Sequence, residues 1–416
     1  MKDDPRSSSP TPGLSRRTLL GASTSLAAAA ALSGSARAAR GAGDKPVLVQ
    51  VFLRTGMDGL TTVVPHGDAD LYRLRPRLAI RPPGQTNGAL DLDGFFGLAP
   101  AAAPLLTPFG DGHLAIVHAS GSIDPTRSHF EAFERMEYAD PRVPTGAIHS
   151  GWATRYLLHT AAGAQGSLRG IGVGANLPLT LRQAPSTLPV LEFAASFPGP
   201  PGTAAQRQDA LLDAYATRSP VLHATALNAL EALHVGGVDY DAYQPEHGAQ
   251  YPDSLFGARL RNVAALIKQE AGIEVVTLDY GGWDLHARLG PIDGRMAALL
   301  DDLTRGLEAF YLDMLGHLDD YLLVCLSEFG RHARENGSDG VDHGHGNAMF
   351  VLGDVAGGRV LADWPGLSDA ALDQGDLAIT IDYRDVLGEL LVERLGVTDL
   401  AAIFPQHTLT PHGVLA

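Results

Sequence analysis

The sequence predicts an α/β protein with a mainly parallel central sheet and helices on both faces. Three observations lead there. Short continuous apolar runs rich in Val, Ile and Leu read as strands buried on both sides. Each run ends in a Gly-containing polar loop. Between the runs lie stretches with the three-and-four apolar spacing of amphipathic helices, and this alternation defines a parallel sheet covered on both faces.

The first strand is expected over residues 47–53 and delivers Arg54-Thr55-Gly56-Met57-Asp58-Gly59. Residues 114–119 run into a loop from Ser120 to Ser128. Residues 273–278 lead to Asp279-Tyr280-Gly281-Gly282-Trp283-Asp284-Leu285-His286, and 321–326 to Ser327-Glu328-Phe329-Gly330-Arg331. A further strand is expected over 347–352. Helices are expected over 129–138, 152–161, 204–217, 221–234, 254–270 and 293–318, and over 383–396 behind Asp382 as N-cap. In the longest, Met296, Leu299, Leu300, Leu303, Leu307, Phe310, Met314 and Leu318 form one apolar stripe, a core face. Pro/Gly-rich stretches at 81–88 and 197–202 read as surface loops. Ligands of such sheets lie outside the carboxyl ends of the strands, so the polar loops are expected to converge on one site.

The 416 residues, 45% hydrophobic and 19% charged, are those of a globular chain, and nothing divides residues 41–416 into more than one domain. A net charge of −16 repels phosphate backbones and speaks against a nucleic-acid partner. Cys325 is the sole cysteine, which excludes an intramolecular disulfide framework and Cys-rich zinc sites; within its apolar run it reads as a small buried hydrophobe. Residues 1–40 are basic where the rest is acidic. Ser15-Arg16-Arg17-Thr18-Leu19-Leu20, a weakly apolar stretch over 21–32 and Ala36-Arg37-Ala38 together read as a twin-arginine signal peptide cleaved after Ala38. The apolar stretch is shorter than the roughly 20 residues that spanning requires, so no stable membrane span is expected after cleavage. Export to the periplasm or the extracellular space follows.

Asp58, Asp284, His286, Glu328, Asp342, His343 and His345 are carboxylates and imidazoles, the donors that hold zinc, manganese and related ions where thiolates are missing. Singly, each is an ordinary cap, turn former or hydrogen-bonding residue. Their clustering at the ends of expected neighbouring strands implies a divalent metal: zinc, manganese or calcium. Glycines around Asp342-His343-Gly344-His345-Gly346 are expected to let the backbone turn sharply. Ser128 opens a helix, either as N-cap or as a hydroxyl presented at a positive helix end, and Thr126 is the other candidate nucleophile. Arg127 and Arg331 are candidate clamps for an anionic substrate. Arg73, Arg75, Arg77 and Arg81 alternate with other residues as on an ion-paired strand face or an anion-recognition edge.

These motifs, with Phe52-Leu53-Arg54-Thr55-Gly56-Met57-Asp58-Gly59-Leu60, Asp124-Pro125-Thr126-Arg127-Ser128-His129-Phe130, Gly281-Gly282-Trp283-Asp284-Leu285-His286 and Asp382-Tyr383-Arg384-Asp385 among the most specific, resemble the DUF1501 family of exported bacterial proteins over nearly all of 47–405. That family in turn resembles the alkaline phosphatase and sulfatase superfamily. The resemblance implies an alkaline-phosphatase-like fold with Asp58 as first-strand metal ligand, Asp284 and His286 as further ligands, His343 or His345 as a late ligand, and Thr126 or Ser128 as nucleophile. Glu328-Phe329-Gly330 stands where the superfamily has Asp-His-Gly, and Asp284-x-His286 is shorter than the usual spacing, which leaves one metal, or none, open in place of two. The implied activity is that of a metal-dependent hydrolase or transferase acting on a phosphate or sulfate ester of a small molecule or glycan. The alternative is a non-catalytic exported protein that binds a metal, an anionic glycan or a protein partner.

Overall fold

The computed structural model describes residues 45–160, 168–190, 242–270 and 272–415, with isolated positions between 206 and 240. The segment over 1–40 expected to be a signal peptide, the loop expected at 197–202 and the helices expected over 204–217 and 221–234 lie wholly or largely outside the described residues.

The central sheet is built from β1 (Val47–Arg54), β2 (Leu114–Gly121), β3 (Gly170–Val173), β4 (Thr187–Val190), β5 (Val275–Gly281), β6 (Tyr321–Leu326), β7 (Asn347–Gly353), β8 (Arg359–Leu361) and β9 (Ile381–Asp382). Its order is β8-β2-β7-β6-β1-β5-β3-β4, with β9 pairing the end of β2. β1 is central: Val51 stands opposite Leu278 of β5 on one side and Cys325 of β6 on the other, both in parallel register. β7 alone among these strands runs against its neighbours, β2 and β6.

Alternation explains why both faces are dry. Val49, Val51 and Leu53 of β1 point into one apolar layer and Leu48 and Phe52 into the other; Leu323 and Cys325 of β6 face the first, Leu322 and Val324 the second. The first layer is closed by α3 (Leu255–Lys268) and α4 (Arg295–Asp313) through Leu260, Val263, Leu300, Leu303, Leu307 and Phe310. The second is closed by α1 (His129–Tyr138), α2 (Trp152–His159) and α5 (Tyr383–Glu393) through Met136, Trp152, Tyr156, Leu387 and Leu390.

The helix expected over 293–318 ends earlier, at Asp313, and continues as a 3-10 turn, Leu315–Asp320, with a kink at His317. The Asp313 carboxylate is buried there and takes bonds from Tyr243, Tyr251 and Lys268, which offset a negative charge at a helix C-terminus. Asp382 caps α5 by accepting from Arg384 N. The arginine-rich segment is not a strand. Arg73 lies in a short helix, Ala69–Leu74, and pairs with Asp70 and Asp369; Arg77 pairs with Glu335 and Asp339, and Arg75 is buried. Among the described residues no helix is long and apolar enough to cross a membrane.

Candidate metal centre

The loops after β1, β2, β5 and β6 leave the sheet at its carboxyl edge. Because β7 is reversed, the segment in front of it, carrying Asp342, His343 and His345, reaches that same edge. Close backbone packing fixes the segment. A Cβ on Gly344 would sit 2.3 Å from the Arg331 carbonyl carbon, and one on Gly330 would sit 2.0 Å from the Gly346 carbonyl oxygen. The sharp turn expected of the His-flanking glycines is thus replaced by close approach of two segments of the chain, since neither Gly344 nor Gly346 has a left-handed φ.

Asp284 Oδ1 is the focus. Arg331 Nη2 donates to it at 2.9 Å, and the Nε2 atoms of His286, His343 and His129 lie 2.9, 3.3 and 3.4 Å away. The other nitrogen of each ring is held from behind: His129 Nδ1 by Glu328 Oε1 at 2.6 Å, His286 Nδ1 by Asp342 Oδ1 at 2.8 Å, and His343 Nδ1 by the Arg127 carbonyl at 2.7 Å. Those partners only accept. Asp284 Oδ1 accepts as well, so without a metal each ring shares its protons between acceptors on both sides; with the proton on Nδ1, each ring turns an Nε2 lone pair toward Asp284, the form that a metal ligand takes. His286 and His343 bring their Nε2 atoms to 3.0 Å of each other, hydrogen-bond distance for a pair in which one ring carries the proton there.

His129, Asp284 and His343 form a group that could hold a metal ion, each offering one donor atom within 4.8 Å of the others. The spacing fits. Metal–ligand bonds of about 2.0–2.1 Å in a tetrahedron place donors about 3.3 Å apart, and the carboxylate–imidazole separations are 3.3 and 3.4 Å.

Electrostatics favour the ligating forms. Desolvation works against the Asp284 charge, but Arg331, His286 and His129 outweigh it and hold its pKa down to about 2. Desolvation likewise pushes His343 below the usual imidazole range, so it stays neutral. The hydrogen bond from His286 holds Asp342 below the usual carboxylate range.

The structure brings Asp284, His286 and His343 together and places the other expected residues around them. Glu328 is buried behind His129 and also lies 3.1 Å from Ser327 Oγ, so it orients an imidazole. Asp342 does the same for His286. His345 sits in a separate network, with both nitrogens facing acceptors: Asp373, and the carbonyls of Ser122 and Asp124. Asp58 is buried and its two oxygens accept from Arg75 Nη1 and Nη2 at 2.5 and 3.0 Å, with Thr61 Oγ1 at 2.6 Å. Arg331 is buried, its guanidinium bonded to Asp284 and to the carbonyls of Thr55, Gly56 and Trp283. Thr55 holds a left-handed φ of 78° at that contact, which is local strain beside the site. Arg127 pairs with Asp376, and Thr126 Oγ1 donates to Glu131. Ser128 is exposed, is the N-cap residue of α1 and makes no side-chain cap bond.

His129 is the candidate ligand that the sequence reads only as a helix start. Its ring stacks on Phe329, centroids 4.7 Å apart and planes at 24°. The chain thus has an aromatic platform where the expected motif lacked an imidazole, and α1 supplies the imidazole from above. A His at the first turn of a helix that begins in an Asp/Thr/Arg/Ser loop was the available signal.

Fold and site together define an α/β protein with a candidate His/Asp metal centre at the carboxyl edge of its sheet. The chain belongs to the DUF1501 family, described as a protein of unknown function, which matches residues 124–389. That span includes every residue of the His/Asp group and is narrower than the 47–405 expected from the motifs. No curated protein matches the chain. Among solved structures it is similar to Ps i-CgsB in complex with k-i-k-neocarrahexaose, with a TM-score of 0.38 and 9% identity over 86% of this chain and 74% of that one. It is also similar to the C-terminal periplasmic domain of EcEptC from Escherichia coli in complex with zinc, with a TM-score of 0.33, 10% identity, and 75% and 73% of the two chains covered. A third is the alkaline phosphatase of the Antarctic bacterium TAB5, with a TM-score of 0.31, 8% identity, and 75% and 93% covered.

Proposed function

We propose that this chain is an exported metal-dependent hydrolase or transferase acting on a phosphate or sulfate ester. The observation that carries the reading is the convergence of the His129 and His343 Nε2 atoms on Asp284 Oδ1, each ring fixed by an acceptor on its far nitrogen. Imidazole and carboxylate donors suit zinc or manganese better than calcium, which prefers oxygen alone. A bound ion would supply Lewis acidity toward an ester oxygen. Three protein donors leave a coordination position open, as catalytic sites do, with the more exposed His286 at its rim.

The chain's own residues would do the rest. Arg331 holds Asp284 ionised and aimed. Ser128, exposed and free of a cap bond one residue before His129, is better placed to react than Thr126, whose hydroxyl is bonded to Glu131. A non-catalytic metal-binding protein is the second reading, favoured by one observation: the guanidinium groups of Arg127 and Arg331, expected to clamp an anion, are both bonded to protein acceptors.

Elemental analysis of the exported protein with a panel of phosphate and sulfate esters separates the two. Hydrolysis that is lost in Asp284→Ala along with the metal, and lost in Ser128→Ala with the metal retained, supports the hydrolase. Stoichiometric metal with no turnover on any ester supports the binding protein. No metal in the wild type overturns both. Export and cleavage after Ala38 are tested by N-terminal sequencing of the mature protein and by Arg16→Lys, Arg17→Lys, which should hold the chain in the cytoplasm.

A further inference from the structure

The loop over 122–128 leads into His129 without a strand or helix of its own. One distant turn holds both of its ends. Asp373-Gln374-Gly375-Asp376 closes through reciprocal backbone bonds between Asp373 and Asp376, each 2.9 Å. Gln374 and Gly375 have φ of 53° and 94°, the two successive left-handed residues of a type I′ turn. Gly375 is required twice over, since a Cβ there would also stand 2.5 Å from the His332 ring.

The residues that flank such a turn stand opposite each other on one face, and here both are carboxylates. Asp376 Oδ2 accepts from Arg127 Nε at 2.7 Å and its Oδ1 from His332 Nδ1 at 2.7 Å. Asp373 Oδ2 is 2.8 Å from His345 Nδ1 and 3.5 Å from Arg127 Nη2. His345 Nε2 then reaches the carbonyls of Ser122 and Asp124, each at 3.1 Å. The turn therefore grips the start of the loop through His345 and its end through Arg127. The carbonyl of that same Arg127 is the acceptor behind His343, and His129 follows two residues later.

We propose that the Asp373–Asp376 turn is the positioning element of the metal centre: by clasping Arg127 and His345 it sets the Arg127 carbonyl that orients His343 and the entry of His129 into the ligand group, while touching no ligand itself. The inference rests on the metal reading given above. It also reassigns Arg127 from a substrate clamp to a residue that acts through another side chain.

The test is zinc titration into the full-length folded protein as wild type, Asp376→Asn, Arg127→Ala and the double variant, with the ¹⁵N tautomer signature of His343 recorded without metal. Partners behind a ligating histidine typically govern affinity by about 10–100-fold, so each single variant should bind zinc at least about 10-fold more weakly. The double variant should be no worse than either single one, because the pair acts as a unit. The Nδ1–H form of His343 should lose its dominance in the variants at unchanged circular dichroism. Should Asp376→Asn not fold, Asp373→Asn carries the same readouts from the outer, more exposed end of the turn. Zinc affinity within about twofold of wild type together with an unaltered His343 tautomer overturns the proposal. A wild type that binds no zinc refutes the metal reading instead, and the tautomer arm then decides the clasp by itself.

Discussion

Replacing Asp58 with Ala discriminates between a ligand and a structural counter-ion. Asp58 and Arg75 are each 1% exposed, and the guanidinium meets both carboxylate oxygens. Arg75 also donates to the carbonyls of Ala333 and His332, so it cannot swing out to water without breaking the contact between its own loop and the one that follows β6. Asp58→Ala leaves that cation buried, a loss of about 3–5 kcal/mol. Unfolding entropy of about 2.1 cal/mol/K per residue over roughly 370 residues, Lys45–Ala416, gives about 0.8 kcal/mol/K, hence a Tm lower by about 4–6 °C. Calorimetry reads the Tm and elemental analysis the metal, which should remain. Asp58→Leu with Arg75→Met should recover most of the stability, since an apolar pair of similar volume does not carry the cost of desolvating two charges. A variant that loses its metal at unchanged Tm would refute this reasoning and restore Asp58 as a ligand.

Three further outcomes are expected. His118 is fully buried, donates from Nε2 to Val63 O and accepts at Nδ1 from Ala119 N, and desolvation lowers its pKa to about 4 despite opposing help from Val63 and Asp58. Above its unfolded value near 6.5 it contributes no pH dependence; as pH falls from there to about 4 the unfolded chain takes up the proton first, so metal-free protein should lose about 3 kcal/mol, read by urea denaturation, and His118→Asn should flatten that slope. Cys325 is buried and desolvation raises its thiol pKa, so a disulfide-exchange reagent should label it only after unfolding. Gly344→Ala must push apart the Arg331 and His343 segments, so it should weaken metal binding more than Gly337→Ala, whose Cβ would meet open space.

The sheet was legible because its strands are covered on both faces, which makes them unbroken apolar runs: β6 was read at its observed bounds and β1, β2, β5 and β7 within a few residues. The arginine segment misled because Pro76 interrupts a short helix and its continuation, and over so few residues alternation and helical spacing look alike. At the site, residue type and strand-end position were enough to bring Asp284, His286 and His343 together. They were not enough to separate a ligand from what stands behind it. Glu328 and Asp342 are the same kind of donor as Asp284, and only side-chain direction shows that they face ring nitrogens. Arg75 cancels Asp58 from just past the end of the helix Ala69–Leu74, a pairing that spacing alone does not announce. His129 depends on the tilt of α1 over Phe329, and the Asp373–Asp376 turn on contacts far apart in the chain.

The reversed strand has a consequence for how this architecture can be altered. A parallel neighbour must cross to the far side of the sheet before it can return, so residues it contributes to an edge are scattered between long crossovers. β6 and β7 instead are antiparallel neighbours, and residues 327–346 join them at that edge. That one stretch holds His343 of the ligand group together with Glu328, Phe329, Arg331 and Asp342, which hold or pack against His129, Asp284 and His286. It is therefore a cassette: trimmed to a short turn, it would leave a hairpin with its ladder intact and a folded sheet that has lost His343 and the groups holding His129 and Asp284, and exchanged for another loop, it would give the same scaffold a different edge.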